Sequence, residues 1–479
     1  MKAKTKNSYG TKPLFVIAGI ALCLTCCFLP VPSSLAQAAN TAGSTGVTAM
    51  RVLGITCLAI IWWSGQVMQD WLVSLVMLIL WVTLCGFPFN VAFSAYSGSS
   101  IWLIVGAFCL SAAISKTGFF KRISLFLLRL FSPTFRGQVL ALLLTGAICS
   151  PLLPSATAKA VLGVSIAKNV ADAMEYPSHS HGRYGLFMAA FIGYASTTPA
   201  FMSAGVSAYI LFASLPEAFR SEMSWATWFS YTFLWLLIVL VGSFLAIQCM
   251  FSPESGSTLK AEYVQKEYQK LGRMDTQELL SALLLVTAFV LWVLENQLNI
   301  NASITALGVA VLCFACRILD GKDLATSVPW NLVIFLGGVL NLGSVFTKTG
   351  IDIWLQDILA SVFLHIQSPF LFVWAVGLIV LALRLILVSQ TATITIMMAV
   401  LTPVATALGI HPFILGFTVL STQGSWFLSY QNTVYTAAIS CMQETVEHRK
   451  TILLCAIFET LSLGGCLCSV PFWKFCGLL

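Results

Sequence analysis

Two short stretches that contain hydroxyl side chains have the residue types best suited to holding a small anion. They are Ser155-Ala156-Thr157 and Ser389-Gln390-Thr391, and each lies between two closely coupled apolar runs. We predict that each stretch is the tip of a hairpin that enters a bilayer and turns back. Backbone N–H groups at such a tip are uncapped, and a helix that begins there favours negative charge. The tips are therefore the predicted substrate-binding positions for carboxylate or sulfate oxygens.

Two further apolar spans are interrupted by residues that unwind helices, at 193–205 and 423–432. Interrupted spans at matching positions free backbone amides and carbonyls near the bilayer midplane, where secondary transporters bind substrate and ions. We expect four side chains in or beside these interruptions to complete the anion site: Thr198, Ser203, Asn432 and Thr433. The alternative is a plain kink, in which Ser and Thr hydroxyls bond their own helix.

A sodium ion is the one candidate cofactor, because hydroxyl and freed carbonyl oxygens are suitable ligands for it. The predicted ion-binding residues are Ser155, Gly193, Thr197, Ser389, Thr391 and Ser425. His179 and His181 have no cysteine or carboxylate at metal spacing around them, so no other metal site is predicted. No nucleophile elbow, phosphate loop or zinc motif occurs, and we predict that the protein is not an enzyme.

Three ionisable residues lie inside apolar runs: Lys159, Arg384 and Glu459. A charge within the membrane is costly, and such a residue is a functional candidate for that reason. Lys159 follows the first tip by one turn and Arg384 precedes the second by about one turn. Glu459 is the expected partner of these cations. Direct contact with the anion, snorkelling and a helix-joining salt bridge all remain open for the two cations.

The composition requires a membrane to position these residues. Of 479 residues, 58% are hydrophobic and 9% are charged, and several apolar runs approach the length that spans a bilayer. The chain is therefore predicted to be an all-α polytopic membrane protein in contact with a lipid bilayer. The net charge of +7 is spread over short loops, so nucleic acid is not an expected partner. The 15 cysteines lie mostly in apolar runs and are expected to be reduced.

An internal repeat organises the chain. Lys116-Thr117-Gly118 returns as Lys348-Thr349-Gly350, and the first hydroxyl tip returns as the second, each about 230 residues later. The predicted units are an N-terminal span and outer loop (1–49), repeat 1 (50–251) with an inner hairpin (137–172), a cytoplasmic linker (252–276), and repeat 2 (277–479) with an outer hairpin (369–408). Five crossings in each repeat make the second copy inverted relative to the first.

Together with the N-terminal span, the repeats predict about 11 transmembrane helices. Basic residues such as Lys121, Arg122 and Lys270 then fall on the cytoplasmic side, with the N-terminus. The predicted location is the plasma membrane, which is the inner membrane in a Gram-negative cell. Ala36-Gln37-Ala38 resembles a signal-peptidase site, so residues 1–38 are either a retained span, which we favour, or a cleaved signal.

Four features of the sequence occur together in one known family: the two tips, the paired Lys-Thr-Gly motifs, the segment from Leu271 to Glu278, and Val328-Pro329-Trp330-Asn331. On these residues the chain resembles the divalent anion/sodium symporter family along nearly its whole length. The resemblance implies a homodimer in which mobile domains carry the site across the membrane like an elevator. The family's Ser-Asn-Thr tip motif has Ala156 and Gln390 in its middle here. These tips are also similar to the 2-oxoglutarate/malate translocator branch, which implies dicarboxylate exchange without sodium.

These observations predict a secondary active transporter of small divalent anions, with dicarboxylates favoured. Coupling is either sodium symport or anion exchange. A sulfate or citrate carrier of the same family is the nearest alternative. An anion channel is the alternative from another class, since composition does not distinguish a channel from a carrier.

Overall fold

The computed structural model describes residues 12–253, 258–259, 261–363, 368–387, 389–428, 431–442 and 448–479, which form helices and turns without a β-strand. The lysines before Lys12, part of the linker, and Tyr430 lie outside these residues. The helices of the first half are α1 (Lys12–Phe28), α2 (Ser33–Thr41), α3 (Gly46–Ser64), α4 (Asp70–Cys85), α5 (Phe89–Ala92), α6 (Ser99–Lys116), α7 (Phe119–Leu128), α8 (Phe135–Cys149), α9 (Ala156–Ala173), α10 (His181–Phe191), α11 (Val206–Ser214), α12 (Glu217–Arg220) and α13 (Trp225–Met250).

The second half follows one linker helix, α14 (Ala261–Lys270). Its helices are α15 (Thr276–Val293), α16 (Glu295–Leu298), α17 (Ala302–Ala315), α18 (Gly321–Ser327), α19 (Trp330–Val339), α20 (Asn341–Thr349), α21 (Ile351–Phe363), α22 (Pro369–Leu383), α23 (Gln390–Ala407), α24 (Pro412–Thr422), α25 (Thr433–Met442) and α26 (His448–Phe475).

Eight helices in the described part of the chain are long and apolar enough to cross a membrane, or nine if the bent pair α1 and α2 is one span. The polytopic α-helical class is therefore confirmed, whereas the count of 11 crossings stays a prediction. Several membrane helices, such as α4, α22 and α24, are shorter than a full span. Short helices at membrane depth are tolerated where protein or a polar cavity satisfies their ends.

Both predicted hairpins form, and they open on opposite sides of the molecule. The open end of α8–α9 lies near the C-terminal end of α13, where Phe135 and Phe251 meet at Gly185. The open end of α22–α23 leads to α24, whose Phe413 ring lies 5.6 Å from the ring of Tyr231 at the other end of α13. Tyr231 and Phe251 are about 30 Å apart along this helix at 1.5 Å per residue. The two repeats are therefore inverted, each with a hairpin and a broken helix.

The helices pack as two groups. We call α1, α3, α4, α6, α15, α17 and α19 the frame, since each packs chiefly on the others. We call α8 to α11, α13 and α22 to α26 the hairpin group, because it contains both hairpins and both broken spans. Close approaches use small residues, as is usual between membrane helices. A Cβ at Gly106 of α6 would meet the backbone of Ala306 of α17. The exact domain boundaries stay predictions.

Candidate functional site

The first hairpin tip is a capped helix N-terminus. After α8, a short 3-10 turn at Ser150–Leu152 leads to Ser155, which is the N-cap of α9. The Ser155 hydroxyl accepts a hydrogen bond from the Ala158 amide at 3.2 Å. Ser is a preferred N-cap residue because its oxygen satisfies one of the free amides of the first turn. Thr157, in that turn, is exposed and lines a cavity.

The second tip repeats this local geometry and adds contacts. Ser389 is the N-cap of α23, and its hydroxyl accepts from the Ala392 amide at 3.2 Å. Thr391 Oγ1 lies 2.8 Å from Ser389 Oγ. Ser389 also donates to Asp70 Oδ2 at 3.2 Å. The second tip therefore already interacts with a carboxylate, which belongs to α4 of the frame.

The two broken spans differ in how the helix is interrupted. Between α10 and α11, a π-helical turn at Ile192–Ser196 is followed by a 3-10 turn at Thr198–Ala200. Between α24 and α25, Asn432 closes the interruption by donating to the Gly424 carbonyl at 2.6 Å and accepting from the Tyr435 amide at 3.0 Å. Each break leaves polar groups beside a hairpin tip, as the sequence predicted.

A cavity of about 830 Å³ joins the tips and the breaks. The predicted site residues that line it are Ser155, Ala156, Thr157, Thr198, Ser389, Gln390, Thr391, Asn432 and Thr433. Among its described lining residues, Asp70 is the only acid and Lys116 the only base. Hydroxyls, amides and two helix N-termini around one cavity form a suitable environment for a small anion.

The other predicted binding residues lie outside the lining of this cavity. Ser203 donates to the Pro151 carbonyl at 3.0 Å and accepts from Trp225 Nε1 at 3.1 Å, so it joins the first break to the hairpin turn. Thr197 is fully buried and donates to the Gly193 carbonyl at 2.6 Å. The Thr197 hydroxyl therefore bonds its own helix, as in the alternative of a plain kink, and it is not directed at the cavity.

Gly193 and Ser425 also lie away from the cavity. A Cβ at Gly193 would meet the Leu142 carbonyl at 2.6 Å, so this glycine permits the broken span to pack directly on α8. Ser425 is buried, and its hydroxyl has no hydrogen-bond partner among the described residues. The structure therefore does not bring the six predicted sodium-binding residues together at the cavity: of these six, only Ser155, Ser389 and Thr391 line it.

Lys159 holds the first tip to the first broken span. Its ammonium is fully buried and donates to Ser150 O at 2.9 Å, Ser150 Oγ at 3.0 Å and Ala204 O at 2.6 Å. These three acceptors use all three of its N–H donors. The ammonium therefore contacts the turn and the break in place of the expected partner Glu459.

Arg384 makes an equivalent connection in the second half. It donates to Leu387 O at 2.6 Å within the hairpin turn and to Gln431 O in the second break. Gln431 Nε2 donates back to the Arg384 carbonyl at 3.2 Å. Arg384 is the cation that interacts electrostatically with Glu459. Glu459 is buried, and both its oxygens lack hydrogen-bond partners in the described chain.

Sequence reasoning missed Asp70, Lys116 and Gln423, all of which line the cavity. A signal for Asp70 was present, since it is the only charged residue between Arg51 and Lys116. Lys116 was used as a repeat landmark and a cytoplasmic basic residue but not as a site residue, although it lines the cavity and forms an ion pair with Asp323 at 2.6 Å. Gln423 has no comparable signal, because amides are common at helix breaks.

Comparison with known proteins identifies relatives along the chain. The family model for the sodium:sulfate symporter transmembrane region matches residues 11–479. Dicarboxylate transporter 1, chloroplastic, of Spinacia oleracea is 26% identical over 344 residues, which are 68% of this chain and 59% of that protein. The L-tartrate/succinate antiporter of Escherichia coli (strain K12) is 27% identical over 311 residues, 63% of each chain.

An uncharacterized transporter of Haemophilus influenzae is 26% identical over 284 residues, 56% of this chain and 57% of that protein. The matches thus span 57% to 63% of the length of these relatives. Two solved structures share the fold. The Alcanivorax borkumensis YdaH transporter has a TM-score of 0.54 at 14% identity, with 81% of this chain and 88% of that chain covered. Neisseria gonorrhoeae MtrF has a TM-score of 0.55 at 13% identity, with 82% and 84% covered.

Proposed function

The chain belongs to the sodium:sulfate symporter family of membrane transporters, and on that premise we propose that it is a secondary active transporter of small divalent anions, with dicarboxylates as cargo. The observation that carries this proposal is the single cavity lined by both hydroxyl tips and both broken spans. Relatives named as a dicarboxylate transporter and as an L-tartrate/succinate antiporter support this choice of cargo. Sulfate or citrate is the second candidate cargo.

In the proposed complex each tip binds one carboxylate. The first tip offers the Thr157 hydroxyl, and the second offers the hydroxyls of Ser389 and Thr391. Each tip begins an 18-residue helix, α9 or α23, whose N-terminal partial positive charge stabilises an anion. Two tips of the same build favour a cargo with a carboxylate at each end. Asn432 and Thr433 would contact the cargo between them.

We propose an elevator-type movement of the hairpin group against the frame. Both tips and both breaks belong to the hairpin group, so the cargo would stay with one packed unit while that unit moves. The cavity extends to Lys116, on the same side as the linker contact between Leu259 and Pro133. With the N-terminus and linker in the cytoplasm, the site of this conformation is accessible from inside.

Anion exchange is the coupling that the contacts of Lys159 and Arg384 favour. Backbone carbonyl and hydroxyl oxygens, which the Lys159 ammonium contacts, are typical ligands of a hard cation. Protein cations at both tip-to-break junctions would stabilise the binding of an anion without a sodium ion. The middle residues Ala156 and Gln390, which replace the Asn of the family motif, agree with exchange. Sodium symport is the competing proposal.

Proteoliposomes test these proposals. Vesicles loaded with unlabelled succinate are expected to take up labelled succinate faster than empty vesicles, with saturation. An anion channel gives no such counterflow, and uptake that is independent of internal anion would contradict exchange. Replacement of sodium by potassium leaves exchange unchanged but abolishes concentrative sodium symport. Competition by malate, tartrate, citrate and sulfate identifies the cargo.

The homodimer is also part of the proposal, and it rests on the family resemblance. An elevator needs a stationary partner for the moving group, and contacts between two frames would supply it. Light scattering of the detergent-purified protein, corrected for the bound detergent, measures the number of subunits. A monomeric mass in conditions that retain exchange would contradict this assembly.

A further inference from the structure

The second hairpin tip is bound to the frame through Asp70. Ser389 Oγ donates to Asp70 Oδ2 at 3.2 Å, and the Thr391 hydroxyl also interacts with this carboxylate. Asp70 is the first residue of α4, which packs on α3 and α19 of the frame. Ser389 caps α23 of the hairpin group. The Asp70–Ser389 bond therefore crosses the boundary between the two groups.

Two helix N-termini surround the Asp70 carboxylate. It lies at the N-terminus of its own helix α4 and faces the N-terminus of α23, and both helix ends favour negative charge. The side chain is half-buried and lines the cavity. The hydroxyls that would donate to a carboxylate of the cargo thus donate to a carboxylate of the protein in this conformation.

The first tip differs in this respect. Ser155 accepts from Ala158 N, and Thr157 is exposed toward the cavity. Asp70, the only acid among the described cavity residues, contacts the second tip. Among the described cavity residues, a protein carboxylate therefore contacts only the second tip, and that carboxylate belongs to the frame. The contact can therefore affect movement as well as binding.

Given the proposed carrier function, we propose that Asp70 is a latch: it holds the second tip to the frame while the site is empty, and the carboxylate of an arriving cargo releases it. Cargo and Asp70 need the same hydroxyls, and two negative charges at this distance repel each other. Bound cargo therefore favours the conformations in which Ser389 has left Asp70. The empty carrier is held in the conformation that opens to the inside, whereas the loaded carrier moves, and net entry of cargo therefore requires the exit of another anion.

Asp70→Asn tests the latch, since it keeps the shape and a hydrogen-bond acceptor but removes the charge. Proteoliposomes that contain the carrier in one orientation, with its cytoplasmic side facing the lumen, are either loaded with unlabelled succinate or left empty, and labelled succinate is added outside. Wild-type uptake is expected to require internal succinate, because the empty carrier is held in the conformation that opens to the inside. In Asp70→Asn, uptake into empty vesicles is expected to rise about tenfold, because hydrogen bonds to ionised groups are stronger than neutral ones. Asp357→Asn, at an exposed acid on α21, is the matched control and should behave as wild type.

The outcomes distinguish a failure of the proposed role of Asp70 from a failure of the proposed carrier function. No exchange by the wild type overturns the carrier proposal itself. Wild-type exchange together with an equally strict requirement for internal succinate in Asp70→Asn overturns the latch. Succinate affinity in detergent gives a second readout, for which Asp70→Ala serves if the Asn variant does not assemble. Loss of the competing carboxylate should lower Kd about tenfold, and an unchanged or higher Kd contradicts the latch.

Discussion

Lys159 and Arg384 perform the same task in the two halves from different positions in the sequence. Lys159 follows its tip on α9 and bonds to Ser150 and Ala204, whereas Arg384 precedes its tip at the end of α22 and bonds to Leu387 and Gln431. The repeat thus preserved the connection between turn and break but not the residue that makes it. Only the second half adds a buried carboxylate, Glu459. The two cations should therefore differ in how much stability they supply.

The largest expected effect is that of Arg384→Met. This change removes the contact to Gln431 and leaves the Glu459 carboxylate buried without its cation. Hydrogen bonds from a charged donor contribute about 1.5–3 kcal/mol each, and the buried Glu459 charge is also left without the nearby cation, so the Tm of the purified protein should fall steeply. Glu459→Gln in the same chain should restore part of the loss. A Tm of Arg384→Met at or above that of Lys159→Met would contradict the difference between the halves.

Lys159→Met should cost less, because no buried carboxylate loses its partner. Three oxygens on Ser150 and Ala204 lose a donor, and the expected loss is about 3 kcal/mol at a buried polar site. The measurement is the thermal unfolding of the variant beside wild type. Lys168→Met, on the same helix and partly exposed, is the control. An unchanged Tm would mean that Lys159 does not stabilise the first junction.

Gly146→Ala and Gly416→Ala compare how closely the helices pack in the two halves. A Cβ at Gly146 of α8 would meet the backbone of Gly193 and Tyr194, whereas one at Gly416 of α24 would meet mainly the Leu211 side chain. A side chain can move more readily than a backbone, so Gly146→Ala should lower stability by about 2 kcal/mol and Gly416→Ala by less. Equal Tm values for the two variants would mean that the backbone contact at Gly146 is no more restrictive than the side-chain contact at Gly416.

The smallest effects are expected at the tips. Thr157→Val removes a hydroxyl that is exposed toward the cavity, so it should weaken succinate binding by about 1 kcal/mol, or roughly fivefold in KM. Thr391→Val should have a smaller effect, since Thr391 already shares a hydrogen bond with Ser389. The KM for succinate is measured for both variants from the kinetics of exchange in proteoliposomes. A larger rise in KM for Thr391→Val than for Thr157→Val would mean that the Thr391 hydroxyl contributes more to succinate binding than the Thr157 hydroxyl.

The tips could be predicted from the sequence because their structure is local. A hydroxyl residue that starts a helix between apolar runs caps that helix wherever the chain places it, as at Ser155 and Ser389. The internal repeat was also predictable, since the Lys-Thr-Gly motifs and the hydroxyl tips both recur about 230 residues later. Crossing number was less accessible, because helices such as α4 and α24 are too short for length alone to decide whether they cross.

The contacts of Lys159 could not be predicted, since its acceptors are mainly backbone carbonyls, which leave no mark in a sequence. Glu459 was the expected partner only because it is the visible mid-span carboxylate. Gly193 was assigned to an ion site, whereas its close approach to α8 depends on a crossing of distant segments. Asp70 was visible as a lone charge, but its contact with Ser389 joins residues about 320 positions apart.

The bend between α1 and α2 bears on when the N-terminal region could be processed. The two helices meet at 77°, and Ala36-Gln37-Ala38 lies inside α2, with Ala38 buried. The Ala38 carbonyl fills the space that a side chain at Gly350 would need, and Gly350 has a φ of +71° that suits glycine. Proteases cut exposed, extended chain. Cleavage at this stretch would therefore have to occur during membrane insertion, before the second repeat is made and covers it.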